Sequence, residues 1–351
     1  MSRGLRVAIF AAGLLLFAWL ILRVGPAALL ADARRVGWMI LPIVLVYAAV
    51  YAAFATAWWI TLEGAPGRPR FAHFYTITIS GFALNYLTPF VNLGGEPYKA
   101  AAVSGAVGAR RAAGSIVAYN VVHTLSHVSI WLVAIAGAFL LLPRTPLLTA
   151  ALAVAGAALL ALLALLLSAR RTGLLVPLLA VLRRIPFTGR LRAAVEARRA
   201  ALTEVDAHIM DFFRARPGRF ALALGVDMLG RAFSFLEFWL LFLAVGRPEP
   251  LWTAYVLGAL STLILNVLFF FPFEMGSRDG GMYLLFHLFG LDPSLAVFTV
   301  IVNRLREVVW IGTGLGLIGL TAWRASRRAA PECAVAEPAP GSGAASPSME
   351  D

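Results

Sequence analysis

At 351 residues, with 60% hydrophobic and 14% charged residues and a mean hydropathy of +0.82, the chain has too little polar surface to fold as a water-soluble globule. The composition excludes a soluble enzyme and predicts an all-α, polytopic integral membrane protein. The net charge of +12 comes from arginines in short stretches between apolar runs, which favours membrane lipids with anionic headgroups as partners and disfavours nucleic acid.

Apolar runs long enough to cross a bilayer recur along the whole chain, since about 20 helical residues cross the hydrocarbon core. The first run follows Arg3 and Arg6 as the core of a signal peptide does, but it lacks a small-residue cleavage site, and we expect it to be retained as a span. We predict six full spans, at about residues 7–23, 38–62, 112–142, 147–169, 218–245 and 294–322.

Two further apolar stretches are interrupted, one at Pro89 and one at Pro272. Each continues through a polar, glycine-containing segment into a short apolar piece. Such a break is tolerated in a membrane only where protein or a water-filled cavity surrounds it. We therefore predict two broken, re-entrant hairpins in the interior. Their long arms and short return pieces are residues 71–91 with 98–107, and 252–271 with 282–291.

The two hairpins resemble each other. Glu96 follows Pro89 by seven positions, Asp279 follows Pro272 by seven positions, and an asparagine precedes each proline. Three predicted spans separate the hairpins, and an odd number inverts the second relative to the first. The sequence therefore predicts an inverted repeat with broken helices, which is the architecture of many transporters.

Arginine placement predicts the orientation. With the N-terminus in the cytoplasm, 21 Lys and Arg residues fall on the cytoplasmic side and six on the other, a positive-inside bias to which Arg34 and Arg35 are an exception. We predict a multi-pass protein of the cytoplasmic (inner) membrane with both termini in the cytoplasm. Residues 1–328 form one transmembrane domain, and residues 329–351 form a disordered tail. Within the domain, residues 183–216 form either an amphipathic helix on the cytoplasmic leaflet or a solvated connector.

Several charged residues fall inside predicted spans, where an unpaired charge is costly. Asp227 and Arg231 are spaced i, i+4 and Arg304 and Glu307 are spaced i, i+3, so each pair can neutralise itself along its own helix. The alternative is functional: an arginine guanidinium can hold a lipid phosphate in a two-point contact.

Glu96 and Asp279 stand at the expected starts of the two returning half-helices. A capping role for these carboxylates is one interpretation. The other is that the half-helix starts, with their free amides, form an interior anion site. An ionised carboxylate would compete with a bound phosphate there, so it would instead take a proton or face a cationic headgroup.

The sequence offers no catalytic or metal-binding motif. His123 and His127 are four apart, but the glutamate of the H-E-x-x-H zinc pattern is absent. Nucleotide-binding, hydrolase and kinase signatures are absent as well, and the single cysteine, Cys333, allows no disulfide. We predict a protein that is not an enzyme and uses no metal or cofactor.

The sequence resembles the lysylphosphatidylglycerol synthase transmembrane-region family, the flippase half of the bacterial multiple peptide resistance factor. The similar segments are NYLTPF at 85–90, GGEPYKA at 94–100, RDGG at 278–281 after Pro272 and Gly276, LFGL at 288–291 and NR at 303–304. The chain departs by having Asp279 where the family usually has glutamate, and by a longer gap after Pro272. The resemblance covers residues 5–325 and not the family's aminoacyltransferase half, which implies lipid translocation between leaflets and not lipid synthesis.

The leading hypothesis is a lipid flippase or transporter. The alternatives are a non-transporting partner of a lipid- or envelope-synthesis enzyme, and an integral-membrane transferase that modifies a lipid. The resemblance leaves the lipid open between an aminoacylated or ordinary phospholipid, a polyprenyl-linked sugar and a hopanoid. The predicted substrate-binding residues are Asn85, Pro89, Gly94, Gly95, Glu96, Arg231, Arg278, Asp279 and Arg304.

Overall fold

The structure is a computed structural model that describes residues 22, 26–87, 94–172, 213–214, 216–268 and 277–329. Almost all of the predicted first span, almost all of the 183–216 segment and the tail after residue 329 lie outside the described residues. Pro89 and Pro272 also lie outside them.

The described residues are overwhelmingly helical, and no strand occurs among them. Apolar sequence favours this outcome because a helix satisfies its backbone hydrogen bonds within its own segment, as lipid requires. The helices are α1 (Pro26–Val36, followed by a 3₁₀ turn at Gly37–Met39), α2 (Ile40–Thr61), α3 (Phe71–Leu87), α4 (Gly95–Val107), α5 (Ala109–Leu141), α6 (Pro146–Thr172), α7 (Pro217–Ala244), α8 (Leu251–Val267), α9 (Ser277–Leu288) and α10 (Pro293–Ala329).

Three helical segments in the described part are long and apolar enough to cross a membrane: Leu30–Thr61, Ala109–Leu141 and Pro146–Ser168. They correspond to the second, third and fourth predicted spans. Helices α7 and α10, at 28 and 37 residues, cover the last two predicted spans but carry charged residues inside them. The chain is thus an all-α membrane protein, and the count of six full spans stays a prediction.

Both predicted helix breaks coincide with the ends of helices. Helix α3 ends at Leu87 and the short helix α4 begins at Gly95, while α8 ends at Val267 and the short helix α9 begins at Ser277. Helix α3 packs against α4, and α8 packs against α9. Each short helix begins a few residues earlier than its apolar piece, because its first turn is polar and carries the acidic residue.

Helices α2–α5 and α7–α10 form two copies of one unit. In each, a long helix is followed by a 17-residue helix, a short helix of 13 or 12 residues and a long helix of 33 or 37 residues. Gly64 and Gly246 follow the first helix of each unit, and Gly108 and Gly290 follow the short helix, all four at positive φ. Matched turns at matched positions agree with the predicted internal repeat.

The second unit is inverted relative to the first. Arg219, at the start of α7, pairs with Glu63, just after the end of α2, and Gly230 in mid-α7 lies against Ala53 in mid-α2. The two helices therefore run antiparallel. Helix α3 packs on α10 of the other unit, and α8 packs in the same way on α5. In each case the 17-residue helix of one unit packs on the last helix of the other. This reciprocal packing is expected of two units related by a two-fold axis in the membrane plane.

Candidate functional site

The start of the first short helix is capped by the neighbouring long arm. The backbone N–H of Gly95 donates to Oδ1 of Asn85 at 2.7 Å. Gly95 is buried, and a Cβ there would lie 2.2 Å from the Gly81 carbonyl oxygen and 2.8 Å from Asn85 Oδ1. The hairpin therefore packs backbone against backbone, which only glycine permits. Gly94 is the residue that precedes the helix.

Glu96 lies in the first turn of α4 and faces two polar partners. Its carboxylate pairs with Lys99 Nζ at 2.8 Å and accepts from Asn120 Nδ2, on α5, at 3.3 Å. The side chain of Glu96 is 22% exposed and that of Lys99 only 8%. A capping role is one of the two interpretations of Glu96. The structure shows Asn85 as the cap of the Gly95 amide, whereas Glu96 contacts Lys99 on its own helix and Asn120 on α5.

A second polar group lies where α5 meets α7. His123 Nδ1 lies 2.8 Å from Asp227 Oδ1, and Arg231 Nε lies 3.4 Å from Asp227 Oδ2, at ion-pair distance without hydrogen-bond geometry. The guanidinium of Arg231 also lies 5.3 Å from the centre of the Phe54 ring. Asp227 is fully buried. The i, i+4 pair predicted from the sequence is therefore present, with a histidine added from another helix.

The second short helix is tied to the last long helix. Arg304 Nη2 donates to both carboxylate oxygens of Asp279, at 3.0 and 3.2 Å. The side chain of Arg304 is 23% exposed, whereas that of Asp279 is 1% exposed. The spacing had suggested that Arg304 pairs with Glu307. The structure corrects this. Arg304 on α10 pairs with Asp279 on α9, and Glu307 pairs with other arginines.

Glu307 is the centre of a buried ionic cluster. Arg278 and Arg306 both pair with its carboxylate, and Tyr86 donates its hydroxyl to it. Arg306 pairs in addition with Glu237 on α7. All four charged side chains are at most 10% exposed. Tyr86 follows Asn85 in sequence. Near its end, helix α3 therefore contacts the start of α4 through Asn85 and the Glu307 cluster through Tyr86.

The described interior charges balance. In the interior of the helices that carry the hairpins and of α5, α7 and α10, five acids face five bases, and each acid has at least one basic partner within 4 Å. We call these ten residues, together with His123 beside Asp227, the belt: Glu96, Lys99, Asp227, Arg231, Glu237, Arg278, Asp279, Arg304, Arg306 and Glu307. Buried charges in a membrane are tolerated when they pair or line a cavity, and the charges of this belt are paired. Within the belt, the side chains with more than a fifth of their surface exposed are those of Glu96, His123 and Arg304, at 22%, 29% and 23%.

Several members of the belt were missing from the predicted site. Lys99, Glu237, Arg306 and Glu307 are polar residues in apolar context, which was the available signal. The pairs Glu237–Arg306 and Arg278–Glu307 join residues far apart in sequence, whereas Lys99 pairs with Glu96 three positions before it. Pro89 belongs to the predicted site and lies outside the described residues. In the described part of the chain, no three His, Cys, Asp or Glu side chains are placed to hold a metal ion.

The comparison with known protein families agrees with these features. The family model described as the lysylphosphatidylglycerol synthase TM region matches residues 5–316. No curated protein and no solved structure matches the chain. Because the family model covers most of the chain, including both hairpins and the belt between them, the chain belongs to the lysylphosphatidylglycerol synthase TM-region family.

Proposed function

We propose that the chain is a flippase that moves a phospholipid or a related lipid between the two leaflets. The observation that carries the proposal is the pair of inverted hairpins whose short helices each begin at paired charged residues of the belt. Broken helices in inverted repeats provide the substrate sites of many transporters. Membership of a membrane lipid family supports a lipid as the cargo.

Arg304 is the proposed phosphate-binding residue. It is the most exposed arginine of the belt, at 23%, and its Nη2 donates to Asp279. A guanidinium has five N–H donors, so it can take a phosphate oxygen pair in a planar two-point contact while it stays near Asp279. Arg231 and Arg278 are more buried and support the site by their ion pairs.

Glu96 is proposed to contact the cationic part of a headgroup. Its carboxylate is 22% exposed and lies at the start of a half-helix beside Asn85, Gly94 and Gly95. Pro89, which lies outside the described residues, is kept in the proposed site from the sequence alone. A cation and an anion in one belt match a headgroup that carries a phosphate and an amine. The acyl chains would remain in lipid while the headgroup passes between the two units.

We further propose that the protein lies in the cytoplasmic membrane with both termini in the cytoplasm. The positive-inside distribution of arginine supports this orientation. Reporter fusions after Arg171 and after Arg328 should then report the cytoplasm, and one after Pro143 should report the opposite side. A cytoplasmic signal at Pro143 would reverse the proposed orientation of the hairpins.

Lipid movement by the purified protein in liposomes tests the function. Fluorescent phospholipids in the inner leaflet should become accessible to an impermeant quencher faster with protein than in protein-free liposomes. Arg304→Lys should lose most of this activity, because an ammonium keeps the charge beside Asp279 but not the planar contact. Arg144→Lys, at an exposed loop position, is the matched control.

Variants of the acidic residues distinguish a role in binding or proton transfer from a capping role. Glu96→Gln and Asp279→Asn should reduce transport in folded protein if the carboxylates act on the headgroup or on a proton. Wild-type rates in Arg304→Lys, Glu96→Gln and Asp279→Asn together would refute the assigned site. Absence of movement for every lipid tested with the wild-type protein would refute transport itself and leave the alternative of a partner of a lipid-synthesis enzyme.

A further inference from the structure

A polar cavity lies apart from the belt, where α2 ends and α5 and α7 begin. Its volume is about 190 Å³, and it is open on one side. A single ordered water needs roughly 10–15 Å³ of such space, so the cavity has room for a polyatomic ion. It is lined by residues 61–65, which include Glu63, and by residues that include Arg111, Ser115 and Arg216.

The cavity lies at the boundary between apolar and polar sequence. One candidate span ends at Thr61 and another begins at Ala109. Trp59 lies two residues before Thr61 at the end of α2, with the guanidinium of Arg68 3.4 Å from the centre of its ring. Tryptophan and arginine are typical of the headgroup region. The cavity is thus at the depth of lipid phosphates, and Arg111 is about 18 Å along α5 from His123 in the belt.

Basic groups outnumber acidic groups around the cavity. The Glu63 carboxylate pairs with Arg219 at 3.1 Å, and Nη1 of Arg216 donates to the Glu63 carbonyl at 2.6 Å. This leaves the charge of Arg216 without an opposing carboxylate in the described part of the chain. Arg111 has no ion-pair partner among the described residues either. Three guanidinium groups thus face one carboxylate, and the excess is positive.

The helix ends add to this positive potential. Helices α5 and α7 both begin at the cavity, and neither has an acidic residue in its first turn. A helix start carries a partial positive charge that acidic residues normally offset, whereas here the nearby side chains are arginines. An anion in the cavity would compensate the helix ends and the guanidinium groups together.

We propose that this cavity binds a phosphate group, with Arg111 and Arg216 as its ligands. The guanidinium fork suits two phosphate oxygens, and the depth of the cavity matches that of a phospholipid headgroup. The site is separate from the belt and does not depend on the proposed transport function. Its phosphate belongs either to a lipid headgroup or to a free phosphate ion.

Thermal unfolding of the purified full-length protein in neutral detergent tests the site. One arm titrates phosphatidylglycerol in mixed micelles, against diacylglycerol, which lacks the phosphate. The other arm titrates sodium phosphate against sodium chloride at matched ionic strength. The variant is Arg111→Gln, and the control is Arg70→Gln, which makes the same charge change at an exposed position outside the cavity.

Phosphatidylglycerol should raise the unfolding temperature of the wild type and of Arg70→Gln, and the half-saturating concentration should be about tenfold higher or more in Arg111→Gln, as expected from the loss of a charge-assisted contact. A matching response to sodium phosphate would show that the site also accepts the free ion, and a response to the lipid alone would assign it to headgroups.

Equal responses of Arg111→Gln and Arg70→Gln in both arms would overturn the proposal, as would the absence of any response in the wild type. If Arg111→Gln unfolds at a lower temperature than the wild type without ligand, Arg111→Lys replaces it. That variant keeps the charge and should still weaken binding, because an ammonium makes no forked contact.

Discussion

The two units of the repeat have the same helices but hold their short helices by different chemistry. In the first unit the start of α4 is held by neutral groups of the long helices, the amide side chains of Asn85 and Asn120. In the second unit, Arg278 and Asp279 at the start of α9 form ion pairs with Glu307 and Arg304 of α10. The second hairpin is thus held to α10 by ion pairs, and the first is held by hydrogen bonds and close packing.

The difference indicates that the two hairpins are held in place with different strength. Buried ion pairs are expensive to break, since an unpaired charge is left behind, whereas exchanging one neutral hydrogen bond for another costs little. If the proposed transport takes place, we expect the first hairpin to change position during it and the second to stay fixed.

Removing Glu307, the centre of the buried ionic cluster, should lower the stability of the protein more than the other changes below. Glu307→Ala would leave two buried arginines without a shared partner, and arginine cannot escape by losing its proton. We expect a loss of about 3–5 kcal/mol, seen as a collapse of the monodisperse peak in size-exclusion chromatography.

Glu96→Ala in the first unit should cost less, because the stranded lysine can deprotonate. Equal losses in the two variants would contradict the difference between the units.

A smaller effect is expected from packing at the first hairpin. Gly95→Ala would force its Cβ against the Gly81 carbonyl, and overpacking of this kind costs about 1–3 kcal/mol. The same change at Gly105 of α4, where a Cβ meets nothing within 4 Å, should be neutral or slightly stabilising.

In the second unit, Gly281→Ala would meet only the side chain of Ile264, at 2.9 Å, which can rotate away. Unfolding temperatures in one detergent should therefore fall most for Gly95→Ala. A larger fall for Gly281→Ala would show that the two hairpins do not differ in the way described.

The smallest effect concerns the loops of the second unit, where Arg247 and Asp292 form an exposed pair. Burial alone would raise the pKa of Asp292, but the Ser294 amide and the Arg247 guanidinium bring it below its usual 3.8. Asp292→Asn should thus lower stability by less than about 1 kcal/mol.

Because the pKa of Asp292 is lowered on folding, its contribution is present above about pH 4 and disappears as the pH falls through the lowered pKa. Unfolding of wild type and variant at pH 7 and at pH 3 measures this. A difference that grows at pH 3 would contradict the assignment.

Much of the architecture could be predicted because it depends on local sequence. Pro89 and Pro272 predicted the helix interruptions, and the structure confirms helix ends on both sides of each. The short helices begin earlier than predicted, since an apolar pattern cannot detect a polar first turn such as that of Gly95 and Glu96. The charged residues of α7 and α10 likewise lower hydropathy where long helices nevertheless form.

The pairing of the charges was only partly predictable. Asp227 and Arg231 lie on one helix face, and spacing alone predicted their contact. Arg304 and Asp279 are brought together by the turn between α9 and α10, and His123 meets Asp227 only because the two units are inverted. Contacts of this kind follow from tertiary packing, so no spacing rule could have chosen Asp279 over Glu307 as the partner of Arg304.

The equality of acids and bases in the belt has an electrical consequence. Moving one elementary charge through 100 mV involves about 2.3 kcal/mol, but a rearrangement that carries ion pairs as units moves no net charge. The membrane potential would then act on the cargo and not on the empty protein. A potassium diffusion potential across proteoliposomes should leave the movement of a net-neutral lipid unchanged and alter that of a charged one. Voltage dependence for the neutral lipid would mean that at least one of these pairs separates during the cycle.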